Sequence, residues 1–256
     1  MSLNVIETGA GEPLVILHGL LGTARNWGMI AKELGKSWRV FAVDMPNHGA
    51  SPWCDRMDYP FMAEQVGDWI AERFPNAIVM GHSMGGKAAM TLALTRPHLV
   101  SKLIVVDIAP VTYSHGFSGY TRAMRSVPLA QASKRSDVEE HLAQTIDNPR
   151  IRAFLMQNLD SGADGYRWRA NIDVLEREMA GIVDFPRAFP HASYDGPALF
   201  VNGGDSEYVR PQDHARIRAL FPKAQMTSIP GAGHWLHADK PQEFLAAVMA
   251  FLAGGA

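Results

Sequence analysis

The 256-residue chain has a single cysteine, no strongly charged tract and no long hydrophobic run. Because Cys54 stands alone, an intramolecular disulfide and a cysteine-based metal site are excluded, and its neighbours give no sign of an activated thiol. The net charge is −2 and no basic cluster resembles a nucleic-acid footprint, so we expect no nucleic-acid partner. The N-terminus lacks the basic start and apolar stretch of a signal peptide, and no run approaches bilayer length. We therefore expect a cytoplasmic protein without membrane insertion.

The composition is that of a folded globular protein. Hydrophobic residues make up 47% of the chain and charged residues 20%, which differs from the composition of disordered proteins. A chain of 256 residues is long enough for one substantial core, whereas two independent domains would each be small. We expect one domain, with room for an insertion.

Short apolar runs that end at Gly, Asn or Asp alternate with longer segments of helical period along most of the chain. This alternation predicts an α/β fold in which a mostly parallel central sheet is flanked by helices. Predicted strands cover residues 14–17, 39–43, 77–80, 103–106, 198–201 and 225–229. Predicted helices cover residues 61–74, 88–95, 211–221 and 241–252.

Residues 111–194 follow a different pattern, with no convincing strand and three helical stretches at 137–146, 150–159 and 168–181. This pattern predicts a helical cap at 111–194, inserted into a core formed by residues 1–110 and 195–256. Such a cap has to pack on a surface, and the carboxyl edge of the sheet, where ligands bind in open α/β folds, is the natural one. The aromatic and methionine residues of the cap favour an apolar ligand.

The segment Gly81-His82-Ser83-Met84-Gly85 matches the G-x-S-x-G motif, with a predicted strand before it and a predicted helix after it. A sharp turn between strand and helix strains the backbone of the serine, and side chains larger than hydrogen at both glycines would clash with neighbouring elements. The motif predicts Ser83 as a nucleophile. A serine hydroxyl is a poor nucleophile at neutral pH, so it needs a base held against it.

Among ten histidines, His234 is the best candidate for that base. It lies in the glycine-rich loop 231–235, directly after the last predicted strand and before the last predicted helix. The nearby His237 could pair with His234 on a metal, but the sequence offers no further ligands for such a site. We expect no metal and no cofactor.

The acid that orients the base has three candidates. The usual position is the loop after the strand at 198–201, where the pattern G-x-x-D-x-x-V, aligned from residue 203 to residue 209, places Ser206 in the position of the acid. Asp205 and Glu207 flank that position, while Asp107 ends the strand before it along the chain. An aspartate at the carboxyl end of a buried strand has little structural reason to be there, so Asp107 is favoured; Asp205 and Glu207 remain alternatives.

A tetrahedral oxyanion needs preorganised donors, because its charge develops only in the transition state. The backbone N–H of Met84 lies at the start of the predicted helix, where the helix dipole also favours negative charge. The second donor is expected in the loop after His18-Gly19, at the N–H of Leu20. These two N–H groups form the predicted oxyanion hole.

Five segments stand out together: HGLLG at 18–22, DMPNHGAS at 44–51, GHSMGGK at 81–87, VVDIAP at 105–110 and GAGHW at 231–235. In this combination they resemble the α/β-hydrolase superfamily, and within it the bacterial YbfF-type esterases and the related abhydrolase domain-containing 11 proteins. The resemblance implies an α/β-hydrolase fold with a helical cap inserted after the sixth strand. It also implies a triad acid after that strand, at Asp107, and activity on small acyl esters or acyl thioesters.

The residues and the resemblance together predict a serine carboxylesterase that hydrolyses small to medium acyl esters, or acyl thioesters, through an acyl-enzyme on Ser83. The alternatives are a carbon–carbon bond hydrolase or perhydrolase of the same fold, and a ligand receptor with slow turnover. The expected partner is a small-molecule ester or thioester substrate. Nothing in the sequence specifies an oligomeric state.

Overall fold

The computed structural model describes residues 2–114, 118–162, 165–187, 189 and 193–254. The strands are β1 (Val5–Thr8), β2 (Pro13–Leu17), β3 (Arg39–Val43), β4 (Ala77–His82), β5 (Val100–Val106), β6 (Leu159–Gly162), β7 (Gly165–Trp168), β8 (Ala198–Gly203) and β9 (Ala224–Ile229). The helices are α1 (Gly28–Leu34), α2 (Tyr59–Ala71), α3 (Met84–Thr95), α4 (Ser118–Ser126), α5 (Arg135–Ala143), α6 (Pro149–Leu155), α7 (Ile172–Arg177), α8 (Met179–Val183), α9 (His214–Leu220), α10 (Leu236–Asp239) and α11 (Pro241–Ala253).

Seven strands form one sheet in the order β1-β3-β2-β4-β5-β8-β9, and every pairing in it is parallel except that of β1 with β3. The six strands expected from the sequence all lie in this sheet, which confirms the predicted α/β class. The edge strand β1 was not predicted. Its four residues are exposed or half-buried, so it lacks the apolar run that marks the inner strands.

The hydrophobic core lies on both faces of the sheet. In β2, Val15 and Leu17 belong to the core cluster on one face, whereas Leu14 and Ile16 belong to the cluster on the other. All four side chains are fully buried. Parallel strands covered by helices on both sides require this continuous apolar pattern, which is why they were readable from the sequence.

The segment between β5 and β8 corrects the sequence analysis in three respects. β6 pairs with β7 where no strand was expected, between two predicted helices (150–159 and 168–181) that the strands overlap by one residue each, and the helix α4 was not predicted. Gly162 pairs with Gly165 at the end of these strands, and Gly165 has a φ of 102°, a conformation that favours glycine. The strand before the segment is the fifth in chain order among the described residues rather than the sixth.

Parts of the predicted cap, residues 115–117, 163–164, 188 and 190–192, lie outside the described residues. The division into a core and a cap at residues 111 and 194 stays a prediction. No helix within the described part of the chain is both long and apolar enough to cross a membrane.

The sheet topology positions the candidate site. Because parallel strands end at the same edge, the loops after β2, β4, β5, β8 and β9 lie side by side there. These loops contain Leu20, Ser83, Asp107, Ser206 and His234, respectively.

Candidate active site

Ser83 lies in a strained turn between β4 and α3. Its φ of 52° and ψ of −117° fall in a region that residues other than glycine rarely adopt. The turn is held on both sides, because the Ser83 N–H donates to the Val106 carbonyl over 3.0 Å and the Ser83 carbonyl accepts from the Lys87 N–H over 3.0 Å. The residue is 6% exposed and lines both pockets described below.

The glycines on either side of Ser83 are required by space. A Cβ on Gly81 would lie 2.1 Å from the carbonyl oxygen of Gly85, and a Cβ on Gly85 would lie 2.4 Å from the carbonyl oxygen of Leu17. Backbone atoms cannot move aside as a flexible side chain can. The fold therefore requires glycine at both positions, as the motif predicts.

His234 lies between the serine and an aspartate. Its Nε2 is 3.1 Å from Ser83 Oγ, and its Nδ1 is 2.6 Å from Asp107 Oδ2. The Asp107 side chain is fully buried, whereas 18% of the His234 side chain is exposed. The geometry allows Nδ1–H to donate to the carboxylate while Nε2 faces the hydroxyl.

Both oxygens of Asp107 accept further hydrogen bonds. The Gly203 N–H donates to Oδ1 over 3.0 Å, and the Ser206 hydroxyl donates to Oδ2 over 2.5 Å. Asp205 and Glu207, the alternatives from the sequence, are exposed. Within the described residues neither of their carboxylates has a hydrogen bond to His234, and that of Glu207 lies 3.5 Å from the Arg210 guanidinium.

Two further side chains hold His234, and the sequence analysis identified neither. The ring of Tyr208 stacks on the imidazole at 4.0 Å between centroids and 24° between planes. His82 Nε2–H donates to the His234 carbonyl over 2.8 Å. Burial lowers the pKa of His82 well below the usual 6.5, so this ring is neutral and keeps one N–H for that bond. Because these contacts join residues far apart in the chain, no local sequence signal reveals them.

The loop that contains Leu20 is held from two sides. Leu21 has a φ of 60°, its N–H donates to His48 Nε2 over 3.1 Å, and its carbonyl accepts from Asn158 Nδ2 over 2.8 Å. Burial and the nearby charge of His18 lower the pKa of His48 to about 3, so Nε2 stays free to accept. Leu20 and Met84 both line a pocket that includes Ser83.

Two pockets meet at Leu20 and Ser83. We call the first the histidine pocket, because it is lined by His18, His82, His234 and His237 together with Phe154 and Trp235. We call the second the tyrosine pocket, because it is lined by Tyr59, Tyr113 and Tyr208 together with Met84, Lys87, Ile108, Ile182 and Val183. The nucleophile thus lies between a pocket rich in histidine and a pocket rich in tyrosine.

Lys87 is a buried cation in the wall of the tyrosine pocket. Its Nζ donates to the carbonyls of Val183 and Asp184 over 2.9 and 2.7 Å, and lies 4.7 Å from the ring centroid of Tyr113. These carbonyls belong to the C-terminus of α8, which has no intrahelical donors for them. Burial lowers the pKa of Lys87 to about 7. The acceptors follow 96 and 97 residues later in the chain, so the sequence alone does not reveal the contact.

Among the described residues, no group of three or more His, Cys, Asp or Glu side chains is arranged to hold a metal ion. His237, which the sequence places three residues from His234, stacks on Trp27 at 4.3 Å and 14°.

Comparison with known proteins shows the family to which the chain belongs. A model of the family described as alpha/beta hydrolase fold matches residues 12–241. The chain is 40% identical over 265 residues to a Mus musculus protein named sn-1-specific diacylglycerol lipase ABHD11, covering 99% of this chain and 85% of that protein. It is 36% identical over 259 residues to the Escherichia coli protein named Esterase YbfF, with coverage of 98% and 99%. The structure of a marine microorganism esterase superposes with a TM-score of 0.94 at 38% identity, covering 97% of this chain and 98% of that one.

Proposed function

The chain belongs to the α/β-hydrolase family and is a carboxylic ester hydrolase, and on that premise we propose that it works through an acyl-enzyme on Ser83. The observation that carries the proposal is the continuous contact from Ser83 Oγ through His234 to the buried Asp107. This arrangement supplies a nucleophile, a base and a group that fixes the tautomer of the base.

In the first half of the reaction, Ser83 Oγ attacks the carbonyl carbon of the ester while His234 Nε2 takes the hydroxyl proton. Asp107 then faces an imidazolium, whose charge it stabilises. The N–H groups of Leu20 and Met84 donate to the oxyanion of the tetrahedral intermediate. Losing one such donor typically costs on the order of 10²–10³ in turnover.

Collapse of the intermediate breaks the bond to the alcohol or thiol, which leaves with the proton from His234. Water then enters, His234 takes its proton, and the hydroxide attacks the acyl-enzyme. A second tetrahedral intermediate releases the carboxylic acid and returns the proton to Ser83. Assistance by the histidine is worth about 10²–10⁴ in rate.

The two pockets suggest how the substrate lies. The tyrosine pocket has Met84, Ile108 and Ile182 in its wall, and apolar side chains of this kind favour an acyl group over a polar leaving group. His234, which must protonate the leaving group, lines the histidine pocket and does not line the tyrosine pocket. We therefore assign the acyl group to the tyrosine pocket and the leaving group to the histidine pocket. A cytoplasmic location belongs to the same proposal.

The test is rapid mixing with p-nitrophenyl acetate, butanoate and octanoate. We expect a burst of p-nitrophenol equal to the enzyme concentration, absent from Ser83→Ala and retained in the exposed-site control Ser193→Ala. Mass spectrometry of the quenched protein should find the acyl group on the peptide that contains Ser83. Hydrolysis by Ser83→Ala at the wild-type rate would contradict the proposal. Absence of release from every ester by folded wild-type protein would favour carbon–carbon cleavage, perhydrolysis or ligand reception.

A further inference from the structure

A wide groove of about 720 Å³ continues outward from the histidine pocket. The two share Asn26, Phe154, Trp235 and His237, so the groove adjoins the pocket that contains Ser83. The volume lies in the range of sites that bind small organic molecules.

The lining of this groove is rich in arginine. Arg25, Arg135, Arg150 and Arg169 line it, and none of its described lining residues is an aspartate or glutamate. We call it the arginine groove. Four arginines from separate parts of the chain thus line one groove, and a cleft lined by charges of one sign attracts ligands of the opposite sign.

Nearby carboxylates neutralise only part of this charge. Arg150 pairs with Asp239, and Arg169 pairs with Asp160 over 2.9 Å. Arg25 is exposed and has no ion-pair partner within the described residues. The groove therefore keeps a net positive charge, and Arg25 keeps all its donors available.

The groove also offers flat apolar surfaces beside the charges. Trp235 and Phe154 pack with ring centroids 5.2 Å apart, and the Arg150 guanidinium lies 5.3 Å from the centroid of the Trp235 ring. Nδ1 of His237 is buried and has no hydrogen-bond partner within the described part of the chain. A ligand with an anionic group and a short organic chain matches both the arginines and these apolar surfaces.

We propose that the arginine groove binds a phosphate group on the leaving-group side of the substrate. The guanidinium fork matches the geometry of phosphate oxygens and stays charged at any physiological pH. This inference rests on the proposed acyl transfer, in which the leaving group lies on the side of His234, and it narrows the substrate to esters or thioesters whose alcohol or thiol carries a phosphate. Two sources share that chemistry: a phosphoglycerol ester and a thioester of a phosphorylated carrier thiol.

The experiment uses matched substrate pairs that differ only by the phosphate. One pair is 1-butanoylglycerol and 1-butanoylglycerol 3-phosphate; the other is S-butanoylpantetheine and S-butanoyl-4′-phosphopantetheine. The readout is the ratio of kcat/KM for the anionic member to that for the neutral member. In the wild type at low salt we expect a ratio of about ten or more in at least one pair, the size of one charge-assisted hydrogen bond. The ratio should fall as NaCl is raised, because the arginines are partly exposed.

Arg25→Gln should lower that ratio several-fold, and Arg25→Gln/Arg169→Gln should bring it close to one. The control is Arg216→Gln, which removes one exposed arginine of α9 outside the groove and should leave the ratio at the wild-type value. A high ratio in one pair alone would identify the source of the phosphate. A wild-type ratio near one in both pairs, or equal effects of Arg25→Gln and Arg216→Gln, would overturn the proposal.

A binding measurement keeps this inference separate from the proposed function. Calorimetric titration of Ser83→Ala with 4′-phosphopantetheine and with glycerol 3-phosphate should detect binding of at least one, weakened by Arg25→Gln in that background. Binding of a phosphate compound, together with no ester turnover by the wild type, would support the phosphate site in the groove and contradict the proposed reaction. Turnover of p-nitrophenyl butanoate, without selection for phosphate and without binding of either phosphate compound, would support the proposed reaction and overturn the inference about the groove.

Discussion

The Ser206 hydroxyl donates to Oδ2 of Asp107 over 2.5 Å, the same oxygen that lies 2.6 Å from Nδ1 of His234. Ser206 occupies the position in which the common sequence pattern has the acid itself. Here the carboxylate comes from the neighbouring strand β5, and the residue after β8 contributes a hydroxyl that holds it. The loops after β5 and β8 thus together position one carboxylate oxygen against the histidine.

Removing that hydroxyl should affect turnover more than substrate binding. In Ser206→Ala the carboxylate keeps the Gly203 N–H but loses one donor, so Asp107 can rotate away from His234. We expect kcat for p-nitrophenyl butanoate to fall about tenfold, the value of one hydrogen bond to a charged group, with KM within twofold. Ser193→Ala serves as the control. An unchanged kcat in a folded Ser206→Ala protein would show that Ser206 does not position Asp107.

Substituting each candidate acid separately distinguishes the three alternatives. Asp107→Asn places an amide against His234 Nδ1 and favours the wrong tautomer, so we expect kcat to fall by about 10⁴. Asp205→Asn and Glu207→Gln alter exposed side chains, and kcat should stay within about twofold of the wild type. If either surface variant lost as much activity as Asp107→Asn, the assignment of the acid would have to change.

The local features of the site could be predicted from the sequence, whereas its distant contacts could not. Ser83 and His234 lie in glycine-rich segments that follow predicted strands, so local composition indicates them. Asp107 was favoured, but its hydrogen bond from Ser206 depends on the parallel pairing of β5 with β8, across 99 residues. The resemblance implied the fold, and the parallel sheet was readable because buried strands form near-continuous apolar runs.

The segment between β5 and β8 was harder to predict for a physical reason. The hairpin strands β6 and β7 have four residues each, and most of these are exposed or half-buried, so neither forms an apolar run. Its helices are short, and the buried Lys87 that caps α8 belongs to a different element, α3. Short elements stabilised by distant contacts leave weak periodicity in the sequence.

Two glycines, Gly85 in the serine turn and Gly181 in α8, should respond in opposite ways to replacement by alanine. In Gly85→Ala the new Cβ would lie 2.4 Å from the Leu17 carbonyl oxygen and 2.5 Å from that of His18, so the backbone must shift. We expect a loss of about 3 kcal/mol or more in the free energy of unfolding, or no soluble protein. Gly181→Ala in α8 meets no atom within 4 Å and should stabilise the protein by about 0.5–1 kcal/mol. Urea unfolding of both variants tests this, and equal stabilities would contradict it.

Acid should destabilise the fold through its buried histidines. Burial lowers the pKa of His18, His48, His82 and His237, to about 3 for His48 and His237. Between about pH 6.5 and 3 the unfolded chain binds protons that the folded chain does not, so the free energy of unfolding falls as the pH falls. His237→Phe should make this dependence shallower while keeping a ring against Trp27. The control is His98→Gln at an exposed position, and urea unfolding from pH 7 to pH 4 gives the slopes. Parallel slopes for His237→Phe and the wild type would contradict the assignment.

Lys87 should produce the opposite signature, a gain of stability above neutral pH. Burial, opposed by the charge of Asp184, lowers its pKa from 10.5 to about 7 in the folded chain. Between pH 7 and 10.5 the unfolded chain therefore binds more protons, and the free energy of unfolding rises with pH through this group. The difference between the wild type and Lys87→Met should increase from pH 7 to pH 9, with a slope that approaches about 1.4 kcal/mol per pH unit. Lost hydrogen bonds to Val183 and Asp184 add an offset that does not depend on pH, so the slope is the readout. Lys32→Met, at an exposed position of α1, should show no such slope relative to the wild type, and a flat difference for Lys87→Met would mean that the buried amine keeps its proton throughout.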